Sequence, residues 1–377
     1  MNYDFDAHLC LVSAQTAPNL LPVLDAKFAP KKKRVVMLVT PEEKARAENL
    51  GRVLKKNGFT VESLPIENSF MSVHNVVLEY LSMHEHEKIA LNATGGSKIM
   101  AFAAYEVFDE LDLPIFYVRK DRNSLTFLGR KFSKEFSELP IDSGLTLEDY
   151  LDVYGYSTEQ EKKQSSLNKP TFVKELINDQ EKYADLLGTL NYLVQDPRNK
   201  KLLFKGLSKE NSENMKKVLP LLELCKEQGL LDFTSDRIEF KNVEARIYVC
   251  GGWLETYVHD IVSSIPPDRI QTRPKQNLTI KSRGNVPNEL DVAFLAKDTL
   301  FAIECKTSNL AREGAGDVLY RMQTVSKAAG LRTQAMLVSY RKPNDDLKWR
   351  AQDIGIEIVQ GYDLRRLKER IQKWIGK

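Results

Sequence analysis

Through residues 7–140, short apolar runs alternate with amphipathic stretches of helical period. The segments "HLCLVS", "RVVMLVT", "TVESLPI", "KIALNAT", "PIFYVRK" and "SLTFLG" have the length and apolar content of strands. "AQTAPNLLPVLDAKF" reads as a loop running into a helix. "PEEKARAENLGRVLKKNG", "SVHNVVLEYLSMHE" and "SKIMAFAAYEVFDEL" read as helices. In the first of these three, Thr40 is the expected N-cap, Pro41 stands at N1 and Gly58 lies just past the end. "PIFYVRK" and "SLTFLG" are joined by a polar turn at Asp121–Asn123. Strands spaced by amphipathic helices imply an α/β unit with a mostly parallel, doubly wound sheet.

The pattern then changes. Residues 155–168 are polar and charged, as a linker would be. Residues 170–245 are dominated by helical periods, followed by "GLLDFTSDRIEFKN", which reads as a small hairpin. Helices followed by a wing-like hairpin suggest a winged-helix-like segment. From about Glu244 the order is helix ("EARIYVCGGWLETYVHDIVSSI"), strands, helix ("GDVLYRMQTVSKAAG"), strand ("TQAMLVSY") and a C-terminal helix. The expected division is a domain at 1–150, a linker and helical segment at 151–243, and a second α/β domain at 244–377.

Composition adds bounds rather than direction. The 377 residues are 42% hydrophobic and 28% charged with a net charge of +3, an ordinary balance for a globular protein of two or three domains. A charge that small does not announce nucleic-acid binding, so local patches must carry that case. Cys10, Cys225, Cys250 and Cys305 are scattered in apolar surroundings, without the paired spacing of a zinc ribbon or any sign of a disulfide framework. No basic leader followed by an apolar run opens the chain, and no apolar run approaches the ~20 residues of a membrane span. The expectation is a soluble, cytoplasmic protein without a membrane partner.

Two polar loops stand where open α/β sheets bind ligands, beyond the carboxyl ends of strands. "LNATGGSKIM" leaves a strand and opens a helix. Gly95 and Gly96 let backbone approach a ligand, Thr94 and Ser97 supply hydroxyls, and Lys98 supplies a cation. A helix N-terminus with free N–H groups favours an anion. The order of residues is not that of a Walker A loop, and no GxGxxG is present. The plainer alternative is a tight turn capped by Ser97. "LVSAQTAPNL" follows the first strand and brings Ser13, Gln15, Thr16 and Asn19 to the same edge. Neither loop holds an acid/base pair, which suits binding a phosphorylated or purine-bearing ligand more than converting it. Over roughly residues 5–140, these two loops resemble the signature loops of the CARF family, the ligand-sensing domains of CRISPR-associated proteins. The resemblance implies a Rossmann-like domain that dimerises through its helices. It also implies a shared cleft for cyclic oligoadenylate, contacted here by Ser13, Gln15, Thr16, Asn92, Thr94, Gly95, Gly96, Ser97 and Lys98.

The stretch "NELDVAFLAKDTLFAIECKT", residues 288–307, carries charge inside two strand-like apolar runs. Side chains alternate along a strand, so Ala302, Glu304 and Lys306 share one face, and Glu289, Asp291 and Ala293 share another. With "AKDT" as the turn, Asp291 and Glu304 converge with Lys306 beside them. Two carboxylates suit a hard divalent cation, and a lysine can orient water or stabilise developing phosphoryl charge. The plainer alternative is an exposed hairpin face with a surface ion pair. The pattern resembles the PD-(D/E)xK restriction-endonuclease-like family over roughly residues 244–377, although Leu290 rather than proline precedes Asp291. The resemblance implies Asp291, Glu304 and Lys306 as catalytic residues and Mn2+ or Mg2+ as cofactor. It offers Glu255, on the preceding helix, as a metal ligand beside Asp291 and Glu304, and Gln323 as a polar residue on the following helix. "RIQTRPKQNLTIKSRGN" adds Arg273, Lys275, Lys281 and Arg283 as candidate backbone contacts, and Arg312 and Arg321 follow the hairpin.

A sensor and a nuclease on one chain resemble the ligand-activated CARF nucleases of type III CRISPR antiviral defence. That resemblance implies a homodimer, allosterically activated by cyclic oligoadenylate, that cleaves single-stranded DNA and RNA and nicks duplex DNA such as plasmid or phage DNA. Cyclic tetra-adenylate is the ring whose two-fold symmetry matches a two-fold cleft. The alternative is a ligand-responsive CARF winged-helix transcriptional regulator, which would not need Asp291, Glu304 and Lys306. A ring nuclease acting in the sensor cleft would need an acid/base pair that the loops lack. Residues 155–245, as the covalent link, are expected to transmit motion from sensor to nuclease.

Overall fold

The computed structural model describes residues 4–129, 138–159, 167–194, 202–205, 209–282, 284, 287–310, 315–330 and 332–376. The N-terminal unit runs β1 (Ala7–Leu11), α1 (Ala17–Leu24), β2 (Arg34–Val39), α2 (Lys44–Lys56), β3 (Thr60–Pro65), α3 (Phe70–Met83), β4 (Ile89–Asn92), α4 (Lys98–Glu110), β5 (Ile115–Arg119), β6 (Ser124–Leu128), β7 (Leu139–Pro140) and α5 (Leu147–Val153). Its seven strands are ordered β3-β2-β1-β4-β5-β6-β7, with β1 to β5 parallel and β6 and β7 antiparallel. The alternation of apolar runs and amphipathic helices produced this sheet because its central strands β1, β2 and β4 are buried on both faces, while the edge strand β3 is largely exposed. One local expectation holds in position only, with Thr40 at the N-cap and Pro41 in the first turn. Pro41–Glu43 form a 3-10 turn before α2, and Thr40 makes no side-chain cap to a helix N–H.

The chain then forms β8 (Ser157–Thr158), α6 (Pro170–Asn178), α7 (Gln180–Leu193), β9 (Leu203–Lys205), α8 (Lys209–Glu227), β10 (Leu231–Thr234) and β11 (Arg237–Phe240). β10, β11 and β9 make a small antiparallel sheet, so the hairpin read from "GLLDFTSDRIEFKN" gains β9 as a third strand. The C-terminal unit follows with α9 (Val243–Ile247), a π-helical turn, α10 (Trp253–Ser263), β12 (Lys275–Lys281), β13 (Pro287–Ala296), β14 (Thr299–Lys306), α11 (Ala315–Ala328), β15 (Thr333–Ser339), α12 (Asp345–Asp353), β16 (Ile356–Gln360) and α13 (Leu367–Ile375). Its sheet is ordered β16-β15-β14-β13-β12-β8. Part of the polar stretch read as a linker therefore joins this sheet, since β8 pairs with the end of β12 at Ile280 and Lys281.

The β13–β14 hairpin is covered on both faces. Val292, Phe294, Phe301, Ile303 and Cys305 pack with Trp253, Leu254, Ile371 and Trp374 and with the middle segment's Phe172, Leu176 and Leu187. Ala293, Leu295, Leu300 and Ala302 pack in one core with the N-terminal unit's Leu145, Tyr150, Leu151 and Val153. The two outer units thus touch directly, which the expectation of a route through residues 155–245 did not include. Tyr150 is fully buried at this contact, and its hydroxyl lies 3.0 Å from the Ala329 carbonyl and 2.9 Å from that of Arg332. Replacing Tyr150 by phenylalanine keeps the ring and removes the donor. The expected loss is about 1 kcal/mol of stability, read as a lower urea midpoint of the full chain; an unchanged midpoint would show the hydroxyl to be dispensable.

Candidate functional site

Lys297 and Asp298 connect β13 to β14, and both have positive φ, 49° and 53°. A two-residue turn of this conformation matches the twist of a hairpin and fixes its register. That register pairs Val292 with Ile303 and Ala293 with Ala302, which brings Asp291 alongside the Glu304–Lys306 end of β14. The Cys305 N–H donates to Asp291 Oδ2 at 2.7 Å, and Lys306 Nζ stands 2.6 Å from Glu304 Oε1. α10 crosses the same region and adds Glu255, close enough for its carboxylate to act on Asp291.

Burial sets the electrostatics. Asp291 is buried, and loss of solvent raises its carboxyl well above the usual range. The neighbouring Glu304 and Glu255 carboxylates raise it further, against the opposing pull of Lys306 and the Cys305 N–H. Glu255 is also raised, first by burial; Lys306 and a hydrogen bond from Asn277 pull the other way, while Glu289 and Glu304 add to the rise. Burial by itself would lower Lys306, but Asp291 and Glu304 outweigh it and hold the ammonium charged. One lysine thus faces several carboxylates, a set of hard oxygen donors with more negative charge than it can neutralise. That is the chemistry of a divalent cation site. Asp291 and Glu304 fit such an ion. Among the described residues no three His, Cys, Asp or Glu side chains are gathered to hold a metal, so Glu255 stands beside the pair rather than completing a ready-made triad.

A groove of about 1140 Å3 opens over these residues. Glu255, Glu289, Asp291, Glu304 and Lys306 line it together with Lys281 and Arg321. Of the residues expected to touch nucleic acid, Lys281 is in the groove wall but ion-paired to Glu159. Lys275 lies further along β12, Arg273 is exposed before that strand, and Arg283 and Arg312 lie outside the described residues. α11 presents Arg321, Met322, Val325 and Ser326 to the groove, and Gln323 is not in its wall. Glu159 and Glu289 were not assigned roles from sequence. Glu289 had a signal, two residues before Asp291 on an alternating strand; Glu159 had none, because its place depends on β8 joining the sheet.

The second candidate site lies in the N-terminal unit. The strand order places β1 between β2 and β4, so the chain reverses direction of winding between β1 and β4. Loops at the carboxyl ends of two such strands diverge and leave a crevice. The two loops singled out in sequence are the ones that follow β1 and β4. Their side chains divide into two kinds. Asn92 donates to the Pro18 carbonyl at 2.9 Å, Thr94 Oγ1 bonds Asn92 Oδ1 at 2.6 Å, and Asn19 donates to the Leu11 carbonyl at 2.9 Å. Thr16 is buried and donates to the Ser13 carbonyl at 3.2 Å. These residues hold the loops together. A Cβ at Gly95 would come within 2.0 Å of the Leu11 carbonyl oxygen, so only glycine lets the loops meet. Ser97 caps α4 by accepting from the Met100 N–H at 3.3 Å and donates to Asn68 Oδ1 at 2.6 Å. Lys98 is exposed at the first turn of α4, and Ser13 and Gln15 are half-buried on the facing loop.

A sensor-type crevice on one unit and a carboxylate–lysine groove on another define a two-domain CARF nuclease. Residues 7–150 belong to the Card1 CARF domain family and residues 242–377 to the Card1-like endonuclease domain family. Among solved structures, the chain is similar to protein VC1899 from Vibrio cholerae, with 26% identity and a TM-score of 0.83 over 98% of each chain. It is also similar to Can2 from Sulfobacillus thermosulfidooxidans in complex with cyclic tetra-adenylate, with 25% identity and a TM-score of 0.80 over 99% of this chain and 98% of that one. A type III CRISPR defence DNA nuclease activated by cyclic oligoadenylate shares the fold at 14% identity and a TM-score of 0.56, over 98% of this chain and 52% of that one. No curated protein matches the chain. Among the described residues no helix is long and apolar enough to cross a membrane.

Asp291 generates a prediction with opposite signs for stability and activity. Because its folded-state value lies above the unfolded one, it favours folding at low pH, and that contribution fades as pH rises through the raised value. Asp291→Asn removes the buried charge and leaves an acceptor for the Cys305 N–H. The metal-free variant is expected to melt no lower than the parent at neutral pH, while cleavage falls by more than ~100-fold, beyond the usual cost of losing an outer partner of a metal site. Retained cleavage in the folded variant would remove Asp291 from the active site.

Proposed function

We propose that this protein is a metal-dependent endonuclease of type III CRISPR defence, activated by cyclic oligoadenylate, with cyclic tetra-adenylate as the ring. The observation that carries the reading is the convergence of Asp291, Glu304 and Lys306 in one groove of a chain whose other end is a CARF domain. A regulator of transcription has no use for that set. The likeness to Can2 bound to cyclic tetra-adenylate supports the choice of ring.

The residues suit phosphodiester hydrolysis in a PD-(D/E)xK-like manner. Asp291 and Glu304 would hold Mn2+ or Mg2+, which when bound supplies Lewis-acid polarisation of the phosphate and acidifies water. Lys306, kept charged by its two carboxylate neighbours, donates toward the attacking water or the developing phosphoryl charge. Lys281 and Arg321 in the groove wall suit the sugar–phosphate backbone, and no described residue there supplies a stacking platform for bases. Backbone tracking of this kind suits single-stranded DNA and RNA without a fixed sequence.

At the sensor, Ser13, Gln15, Lys98 and the N–H groups of α4 are the groups that would meet the ring, while Asn92, Thr94, Thr16 and Gly95 shape the crevice. A homodimer is supported by the outer faces of α3 and α4, where Met71 and Phe102 are 62% and 66% exposed beside Phe70, Leu78 and Ile99. Pairing through these helices would set two crevices together.

The test is cleavage of labelled single-stranded DNA, single-stranded RNA and supercoiled plasmid with Mn2+ or Mg2+, with and without each cyclic oligoadenylate. Cleavage should require the metal and rise with cyclic tetra-adenylate, and calorimetry should give one ring per two chains. Lys98→Ala should weaken ring affinity by about tenfold, the scale of one charge-assisted contact, and leave maximal cleavage at saturating ring unchanged. Equal cleavage with and without every ring would overturn the activation reading.

A further inference from the structure

Two hairpin turns from different domains meet at their tips. In the sensor, Asn123 closes the β5–β6 hairpin at φ 45°; in the nuclease, Asp298 closes the catalytic hairpin at φ 53°. Asn123 Nδ2 donates to Asp298 Oδ2 at 2.9 Å, and Asn123 Oδ1 accepts from Arg332 Nη1 at 3.0 Å. Arg332 Nη2 donates to the Arg119 carbonyl at 3.3 Å, at the end of β5. The second carboxylate oxygen of Asp298 accepts from Ser143 Oγ at 2.5 Å and Gln271 Nε2 at 2.8 Å. Asp298 is 1% exposed and Arg332 2%, so the two charged members of this network are buried, with Asn123 half-buried between them. A buried charged group is tolerated only when its hydrogen bonds are made, and here the sensor domain makes two for each, through Asn123 and Ser143 to Asp298 and through Asn123 and Arg119 to Arg332.

The network is continuous with both sites. Thr94, in the loop that opens α4, bonds the Val118 N–H of β5 through Oγ1 at 2.8 Å. β5 ends at Arg119, whose carbonyl Arg332 holds. Asp298 sits in the two-residue turn between the strands that carry Asp291 and Glu304. Hydrogen-bonded structure therefore runs from the ligand loop to the catalytic hairpin without passing through the middle segment.

We propose that Asp298 is a positioning residue: through it the β5–β6 turn of the sensor holds the catalytic hairpin, so that a ligand-dependent shift at Thr94 reaches Asp291 and Glu304 by this contact. The proposal rests on the activation reading above. It is a claim about coupling free energy, so affinity and activation must be read separately.

The experiment uses the full-length protein with cyclic tetra-adenylate as probe. Asp298→Asn keeps the volume and the left-handed backbone but turns an NH2 toward groups that are themselves donors. Asn123→Gly keeps the backbone conformation and removes the bridge from the sensor side. Each single variant is expected to bind the ring within about twofold of the parent by calorimetry, while the ratio of ring-stimulated to unstimulated cleavage falls about tenfold, within the usual range of allosteric coupling. The double variant should lose no more than either single one, because both break the same contact. A folded Asp298→Asn with the parent's stimulation ratio overturns the proposal, as do losses that multiply in the double variant. If Asp298→Asn does not fold, Asn123→Gly decides alone by the same ratio. A parent chain that no ring stimulates overturns the activation reading first, and this proposal with it.

Discussion

Everything in the C-terminal half depends on a hairpin buried on both faces. β13 and β14 lie between the helices α10 and α13 on one side and the sensor domain on the other. Charge can enter such a hairpin only where the covering layers part, and there the groove opens over Asp291, Glu304 and Lys306. The same burial that stabilises the hairpin leaves Asp291 short of solvent and raises its carboxyl. A carboxylate that is costly to ionise is therefore a direct consequence of a two-sided core.

The sensor crevice obeys a different constraint, that of winding. A parallel sheet whose connections reverse between β1 and β4 must leave their loops apart, and anything bound there meets both. The loops are nevertheless tied below the crevice by Asn19, Asn92 and Thr94, and Gly95 allows that closeness. Residues of similar polarity thus split into those that build the crevice and those that face it. The hydroxyl of Thr94 is used twice, toward Asn92 and toward β5, so it ties the loop to the sheet.

Direct packing of sensor on nuclease changes how the middle segment is understood. Its helices and small sheet bury Phe172, Leu176 and Leu187 against the same core as the hairpin's inner face. That makes it a structural layer of the nuclease half as well as a covalent connection. The polar contact at Asp298 and Arg332, and the apolar contact at Leu300, Ala302 and Tyr150, join the outer domains without it.

Periodicity made most of the fold legible. Runs such as "RVVMLVT" and "KIALNAT" have one reading when both faces of a strand are apolar, and they became β2 and β4. Alternation in "TLFAIECKT" fixed which side chains share a face, because period two is a property of the backbone. The glycines, hydroxyls and lysine of "LNATGGSKIM" likewise marked a loop of local chemistry, and that chemistry carried the family resemblance to its two domains. Long-range contacts lay beyond such reasoning. Asn123 read as an ordinary turn residue, and Asp298 as part of "AKDT"; nothing local tells a solvated turn from one that meets another 175 positions away. Glu159 entered the groove wall because β8 joined a distant sheet, and Gln323 fell outside it because α11 turned Arg321 inward. Local sequence determines what each element is and which faces it has. Which faces meet is decided by packing over the whole chain, since burial is gained only when the elements close on one another.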